Sequence, residues 1–176
     1  MYEGVFSPIP DPGAYLARIG LEPDDYRKSL HPELPGSPSA FSARHSKDAL
    51  DVLVRAHLMS VPFEDLDIYE LGREVSLEIG DVFDKIVRRR RGGFCFELNG
   101  LFCALLEALG FECRAIAVRV LFEGEFPPTG HRSTIVTLAD GKRVVCDVGF
   151  GGPTPLGALY LDCADVQHSG RLAFRY

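Results

Sequence analysis

The chain has 176 residues, 46% of them apolar and 25% charged, and carries a net charge of −6. That length suits one domain, or two small subdomains on a shared core, and the acidic balance disfavours nucleic acid as a partner. No apolar run approaches the roughly 18 residues of a membrane span, and the start Met1-Tyr2-Glu3-Gly4 has neither a basic nor an apolar signal region.

Pro12-Gly13 and residues 15–20 predict a short first helix. Residues 31–42, with three prolines, read as an irregular loop. Ser46 suits an N-cap for a helix to about Met59, with Ala49, Leu50, Leu53, Val54, His57 and Leu58 on its apolar face. Val61-Pro62-Phe63 ends it. A helix over 76–89 turns Leu77, Val82, Phe83 and Ile86 inward, and another starts near Cys95 and stops at Gly110. The period then changes. Residues 113–122, 133–139 and 143–148 are rich in valine, isoleucine and threonine, as strands are, and Asp140-Gly141 signals a two-residue hairpin. Helices followed by an antiparallel meander give an α+β class, divided into 1–110 and 111–176.

Chemistry concentrates at Cys95. Four arginines, Arg88 to Arg91, and Gly92-Gly93 run directly into it, at a predicted helix start where backbone N–H groups and the helix dipole favour a thiolate. The glycines allow a tight turn and room for a substrate near the sulfur. Cys103, Cys113 and Cys146 lie in apolar runs and read as packing residues; Cys163 reads as inert and near the surface. Five cysteines without paired spacing point to a reducing cytoplasm, and the lack of CxxC or HExxH spacing predicts no metal site.

A thiol nucleophile needs a base. His31 and His168 read as solvated, His45 as a surface residue beside a cap, and His57 as a hydrogen-bonded core residue. His131 follows Pro127-Pro128-Thr129-Gly130 and begins a strand, at the lip of a loop. Asp147 lies inside an apolar strand, where a carboxylate needs a partner, either a neighbouring histidine or nearby backbone N–H groups. A two-residue turn at Asp140-Gly141 sets Asp147 opposite Thr134, about 10 Å along the strand from His131 and on the other face. A bulge or another turn length would restore the parity.

The stretch RGGFCFELNGLF, the histidine on the second strand after it and CDVGFGG resemble the arylamine N-acetyltransferases, as do YLARIG at 15–20 and VPFEDLDI at 61–68. These segments cover most of residues 12–153. The resemblance implies a helical subdomain followed by a barrel-like meander, with a core like that of cysteine proteases and transglutaminases. It implies Cys95 as acetyl-accepting nucleophile, His131 as base and Asp147 as its orienter, in a ping-pong reaction. Acetyl-CoA is then a co-substrate, arylamines or arylhydrazines are the acceptors, and no cofactor is tightly bound. The backbone N–H of Cys95 is a candidate oxyanion donor. Arg91 would pair with Glu64, Phe150 would line the acceptor pocket, and Thr129, Gly130, Gly151 and Gly152 would border the approach of CoA and acyl group. A plain turn is the other reading of the glycines. The family carries a third, α/β domain after the strands, and Tyr176 falls where it would begin; a chain ending there would expose the face that domain covers and could self-associate. An amide synthase releasing a polyketide chain, and a catalytically impaired remnant binding aromatic ligands or a partner, are the competing functions.

Overall fold

The computed structural model describes residues 3–22, 45–121 and 127–175. The proline-rich stretch at 31–42, His31 and Phe122 lie outside them. After a 3₁₀ turn at Glu3–Phe6, helix α1 spans Pro12–Arg18 and α2 spans Lys47–Ser60. Both begin as the sequence predicts. Asp11 accepts from the Ala14 N–H at 3.0 Å, and Ser46 from the Ala49 N–H at 3.3 Å. Leu50, Leu53, Val54 and His57 of α2 are buried, as the period requires. Tyr15 and His57 meet at 2.6 Å in the core, so His57 is the hydrogen-bonded residue its place on the apolar face suggests. Burial, helped by the charge on Arg18, lowers its pKa to about 3. His45 differs from expectation: it is buried, edge-on to Phe111 at 5.0 Å, because its ring meets the Leu109 carbonyl at the end of a later helix.

After the short α3 (Leu66–Tyr69), the helix expected over 76–89 starts later. Helix α4 is Ile79–Phe83 and continues as a π-helical turn over Asp84–Arg88. Ser76 instead accepts from the Glu78 N–H and donates to Asp81. The wider turn carries Lys85, only 5% exposed, among three carboxylates: Asp67 at 2.8 Å, Glu97 at 2.9 Å and Glu64 at 3.8 Å. Burial pulls the Lys85 pKa down, but Asp67 and Glu97 outweigh it and the net shift is upward. Arg18 of α1 donates to the carbonyls of Ser60 and Ile86 at 2.8 and 3.0 Å, which ties α1 and the end of α2 to this turn.

Helix α5, Cys95–Ala108, is the central element. It is buried on all sides from Glu97 to Leu106, as a helix apolar all round must be. Its start is fixed by Glu97, whose carboxylate accepts from the Phe94 N–H at 3.0 Å while holding Lys85. Just before it, a side chain at Gly92 would put Cβ 2.0 Å from the Pro62 carbonyl. The glycine is there so that two backbones can touch, with Phe63 and Gly93 forming a parallel bridge. It does not face a substrate, as the sequence reading had it.

Among the described residues, four antiparallel strands follow in the order β1 Glu112–Val118, β2 His131–Thr137, β3 Arg143–Cys146 and β4 Leu159–Tyr160. A separate hairpin pairs β5 Gln167–Ser169 with β6 Leu172–Phe174. Helix α5 packs on β1 and β2, and one apolar core runs from α1 and α2 through Leu101 and Leu105 to Val136 and Val144. The turn between β2 and β3 has three residues, not two. Leu138 and Lys142 close it at 2.8 Å, and Gly141 takes φ +81°, which favours glycine. Thr134 therefore pairs with Cys146. No helix among the described residues is long and apolar enough to cross a membrane.

Candidate active site

The three-residue turn removes the obstacle that the two-residue reading created. With Thr134 opposite Cys146, Asp147 falls just past the strand end, level with Ser133 and on the same face as His131. The two-residue step from Ser133 to His131 is bridged by side-chain reach: His131 Nε2 and Asp147 Oδ2 stand 2.5 Å apart. Occupation of Nε2 leaves Nδ1 for the thiol side of the ring.

Cys95 is the first residue of α5, and its half-buried sulfur lies 3.9 Å from the Gly130 carbonyl oxygen. As a first-turn residue its N–H has no intrahelical acceptor. His131, the first residue of β2, is 5% exposed. Burial would lower its pKa, but hydrogen bonding to Asp147 and to Cys95 raises it further, to about 9. At neutral pH the ring therefore holds a proton and sets a positive charge beside the Cys95 sulfur.

Asp147 is held by groups that the sequence reading did not assign. Its Oδ1 accepts from the Gly149 N–H and from Asn99 Nδ2, both at 3.0 Å. Asn99, fully buried, also donates to the Arg132 carbonyl at 2.6 Å and accepts from the Val148 N–H at 2.9 Å. The signal was present: Asn99 falls four residues after Cys95, one helical turn along the same face, and is the one amide in that helix.

The expected Arg91–Glu64 pair forms as a two-pronged contact at 3.1 and 3.0 Å, and Arg91 also reaches Asp67 at 2.9 Å. Asp67 was missed; its hydrogen bonds to Lys85 and Arg91 lower its pKa to about 2. Arg88, Arg89 and Arg90 are exposed, as read, and Arg89 meets Asp84 at 2.9 Å.

A cavity of about 650 Å³ elsewhere, along α2 and β4, holds none of these groups. The cavity over Cys95 and His131, about 630 Å³, is walled by Phe63, Val120, Pro128 and Phe150, with Gly130, Gly151 and Gly152 at its edge. Phe150 meets the His131 ring edge-on at 5.5 Å. Thr129 is exposed and does not line this cavity; Phe63, which does, had no role in the sequence reading. Apart from the cavity, Cys103, Glu107 and Cys113 gather three donor atoms within 4.8 Å of one another, the one such group of possible metal ligands among the described residues.

A thiol at a helix start, a buried histidine and an oriented carboxylate on an α+β scaffold define the class of cysteine-triad proteins, which form and break thioesters and amides. Comparison with known proteins narrows the class. A profile of the N-acetyltransferase family matches residues 47–176, and the chain belongs to that family. It is 36% identical over 152 residues to the arylamine N-acetyltransferase / N-hydroxyarylamine O-acetyltransferase of Salmonella typhimurium, covering 85% of this chain and 51% of that protein. It is 38% identical over 172 residues to the arylamine N-acetyltransferase of Mycolicibacterium smegmatis, covering 94% of this chain and 55% of that protein. The chain thus spans about half the length of the curated relatives it matches. Among solved structures, the Salmonella typhimurium enzyme superposes with a TM-score of 0.77 at 33% identity, over 96% of this chain and 55% of that one. The Mycobacterium marinum enzyme in complex with CoA superposes at 0.76 and 33% identity, over 94% of this chain and 56% of that one.

Proposed function

We propose that this chain carries the acetyl-transferring half-site of an arylamine N-acetyltransferase, moving acetyl from acetyl-CoA to an arylamine or arylhydrazine through Cys95. The observation that carries the reading is the 2.5 Å His131–Asp147 contact beside Cys95 on the floor of an aromatic-walled cavity. His131 enters the cycle protonated, with its Nδ1–H directed at the Cys95 thiolate. The thiolate attacks the acetyl carbonyl, the bond from that carbon to the CoA sulfur breaks, and CoA leaves as a thiol with the proton from His131. The acceptor nitrogen then attacks the thioester, its proton passes to His131, and the Cys95 thiolate departs. Asp147 holds the ring in register through both half-reactions, and the Cys95 N–H faces the developing oxyanion.

The activities after which the relatives are named, and the CoA-bound neighbour, support this donor and acceptor class. Phe63 and Phe150 suit a flat aromatic acceptor. The boundary near residue 110 has a functional sense: the helical part supplies the nucleophile and the sheet supplies histidine and aspartate. Five free cysteines fit a reducing cytoplasm. The exposed Phe63, Leu66 and Tyr69 offer a face for self-association, which sedimentation at rising concentration tests; a constant monomer profile removes it.

Intact mass after incubation with acetyl-CoA or p-nitrophenyl acetate should show a gain of one acetyl group, abolished in Cys95→Ala. No adduct from either donor overturns the reading.

A further inference from the structure

Two turns along α5 from Cys95, the helix meets the sheet through a polar cluster that the acyl-transfer chemistry does not use. Cys103 is 4% exposed, and Glu107 lies one turn further along the same helix face. Cys113 is on β1, brought alongside by the chain reversal at Gly110. The two sulfurs are 3.9 Å apart, and the Cys113 sulfur is 3.7 Å from the Cys103 carbonyl oxygen. We propose that Cys103, Cys113 and Glu107 form a binding site for a soft divalent cation of the zinc class.

Distance favours a bridging cation over a disulfide. Two thiolates on a tetrahedral zinc, each about 2.3 Å from the metal, stand about 3.8 Å apart. The observed 3.9 Å needs almost no adjustment, whereas a disulfide at about 2.05 Å requires the sulfurs to close by nearly half that distance. The third donor is already in place, since one donor atom from each residue lies within 4.8 Å of the others.

The surroundings also ask for anions. Arg132, 7% exposed, has a buried Nε with no hydrogen-bond partner, and the buried Thr134 hydroxyl stands against Cys103. No carboxylate among the described residues pairs with Arg132, and Glu107 is the acidic side chain whose charge acts on it. Buried donors left this way are costly. Neutral thiols and disulfide sulfurs are poor acceptors, while metal-bound thiolates are good ones. Two thiolates and one carboxylate around a dication leave a single negative charge, which Arg132 balances. Half-buried Cys113 and exposed Glu107 leave the fourth position to water. A cation here would pin the second half of α5 to β1, two helical turns from the nucleophile.

Cadmium chloride added to reduced protein is a direct probe, read by the ultraviolet thiolate-to-metal charge-transfer band. In Cys95→Ala, which removes the competing thiol, one equivalent should saturate the band. Cys113→Ser should abolish it, and Glu107→Gln, at an exposed position, should weaken binding without unfolding the chain. The metal should also slow alkylation of Cys113 by N-ethylmaleimide in the Cys95→Ala protein. A band lost in Cys95→Ala, or unchanged in Cys113→Ser, overturns the proposal. So does clean Cys103–Cys113 disulfide formation under mild oxidation with no cadmium band.

Discussion

At His131 burial and charge pull in opposite directions, and charge wins because Asp147 and Cys95 both sit against the ring. The folded-state pKa of about 9 lies above the ordinary 6.5. The stability contributed by the proton is therefore complete below about 6.5 and is lost as pH rises through about 9. Urea midpoints measured over that window should fall in the wild type, and His131→Gln should flatten the curve. Asn99 has a different part. It neither donates nor takes a proton from substrate; it fixes the far oxygen of Asp147 and two backbone groups. Asn99→Ala takes a buried partner from the Arg132 carbonyl and the Val148 N–H, at about 1–3 kcal/mol. Its urea midpoint should drop, and acetylation of Cys95 should slow as Asp147 loses its second hold. An unchanged acylation rate would remove Asn99 from the positioning of the triad.

Among elements, the turn at 139–141 matters most for the site. Side chains alternate along a strand, so a one-residue slip of β3 against β2 moves residue 147 to the other face. Deleting Ala139 should leave a hairpin on the two-residue Asp140-Gly141 turn with Leu138 still opposite Lys142, so that Thr134 stays paired with Cys146. The same variant should still form the acetyl-enzyme, and its loss would mean that the turn itself, not the register, places Asp147. This is also where the sequence was least legible. Asp-Gly fits a two-residue turn and also a three-residue turn with glycine at the left-handed position, and local residues do not choose between them. Packing of β3 onto the core chooses. The helix starts at Asp11, Ser46 and Cys95 were legible because caps and glycines act locally. The π turn over Asp84–Arg88 was not, because it serves a lysine whose three carboxylates come from two other segments. Strands β4 to β6 are two or three residues long, too short for any period to show. Cys95, His131 and Asp147, which the structure brings together, were legible as a group because each stood out chemically from its apolar neighbours.

For the molecule as a whole, the charged cluster of Lys85, Arg91, Glu64, Asp67 and Glu97 joins the segment after α2, the π turn and the start of α5. Glu97 is only 2% exposed, so removing Lys85 strands a buried charge. Lys85→Met should cost about 3–5 kcal/mol, seen as a lower urea midpoint, with the loss falling hardest on the capped start of α5. A variant as stable as the wild type would mean that Glu97 finds water instead.

The hydrogen bonds of Asn99 also say where this fold can tolerate changes of length. Nucleophile and amide are spaced by one turn of a buried helix, and the amide is tied to the backbone on both sides of the sheet's active edge. The helix therefore works as a gauge block between the sulfur and the carboxylate. Residues added between the end of β1 and Pro127 need not change that gauge, because neither Asn99 contact passes through them. One residue added between Cys95 and Asn99 would rotate the amide by about 100° around the helix and disengage it from Asp147. Homologous chains should therefore vary freely in the first segment and hold the second to constant length.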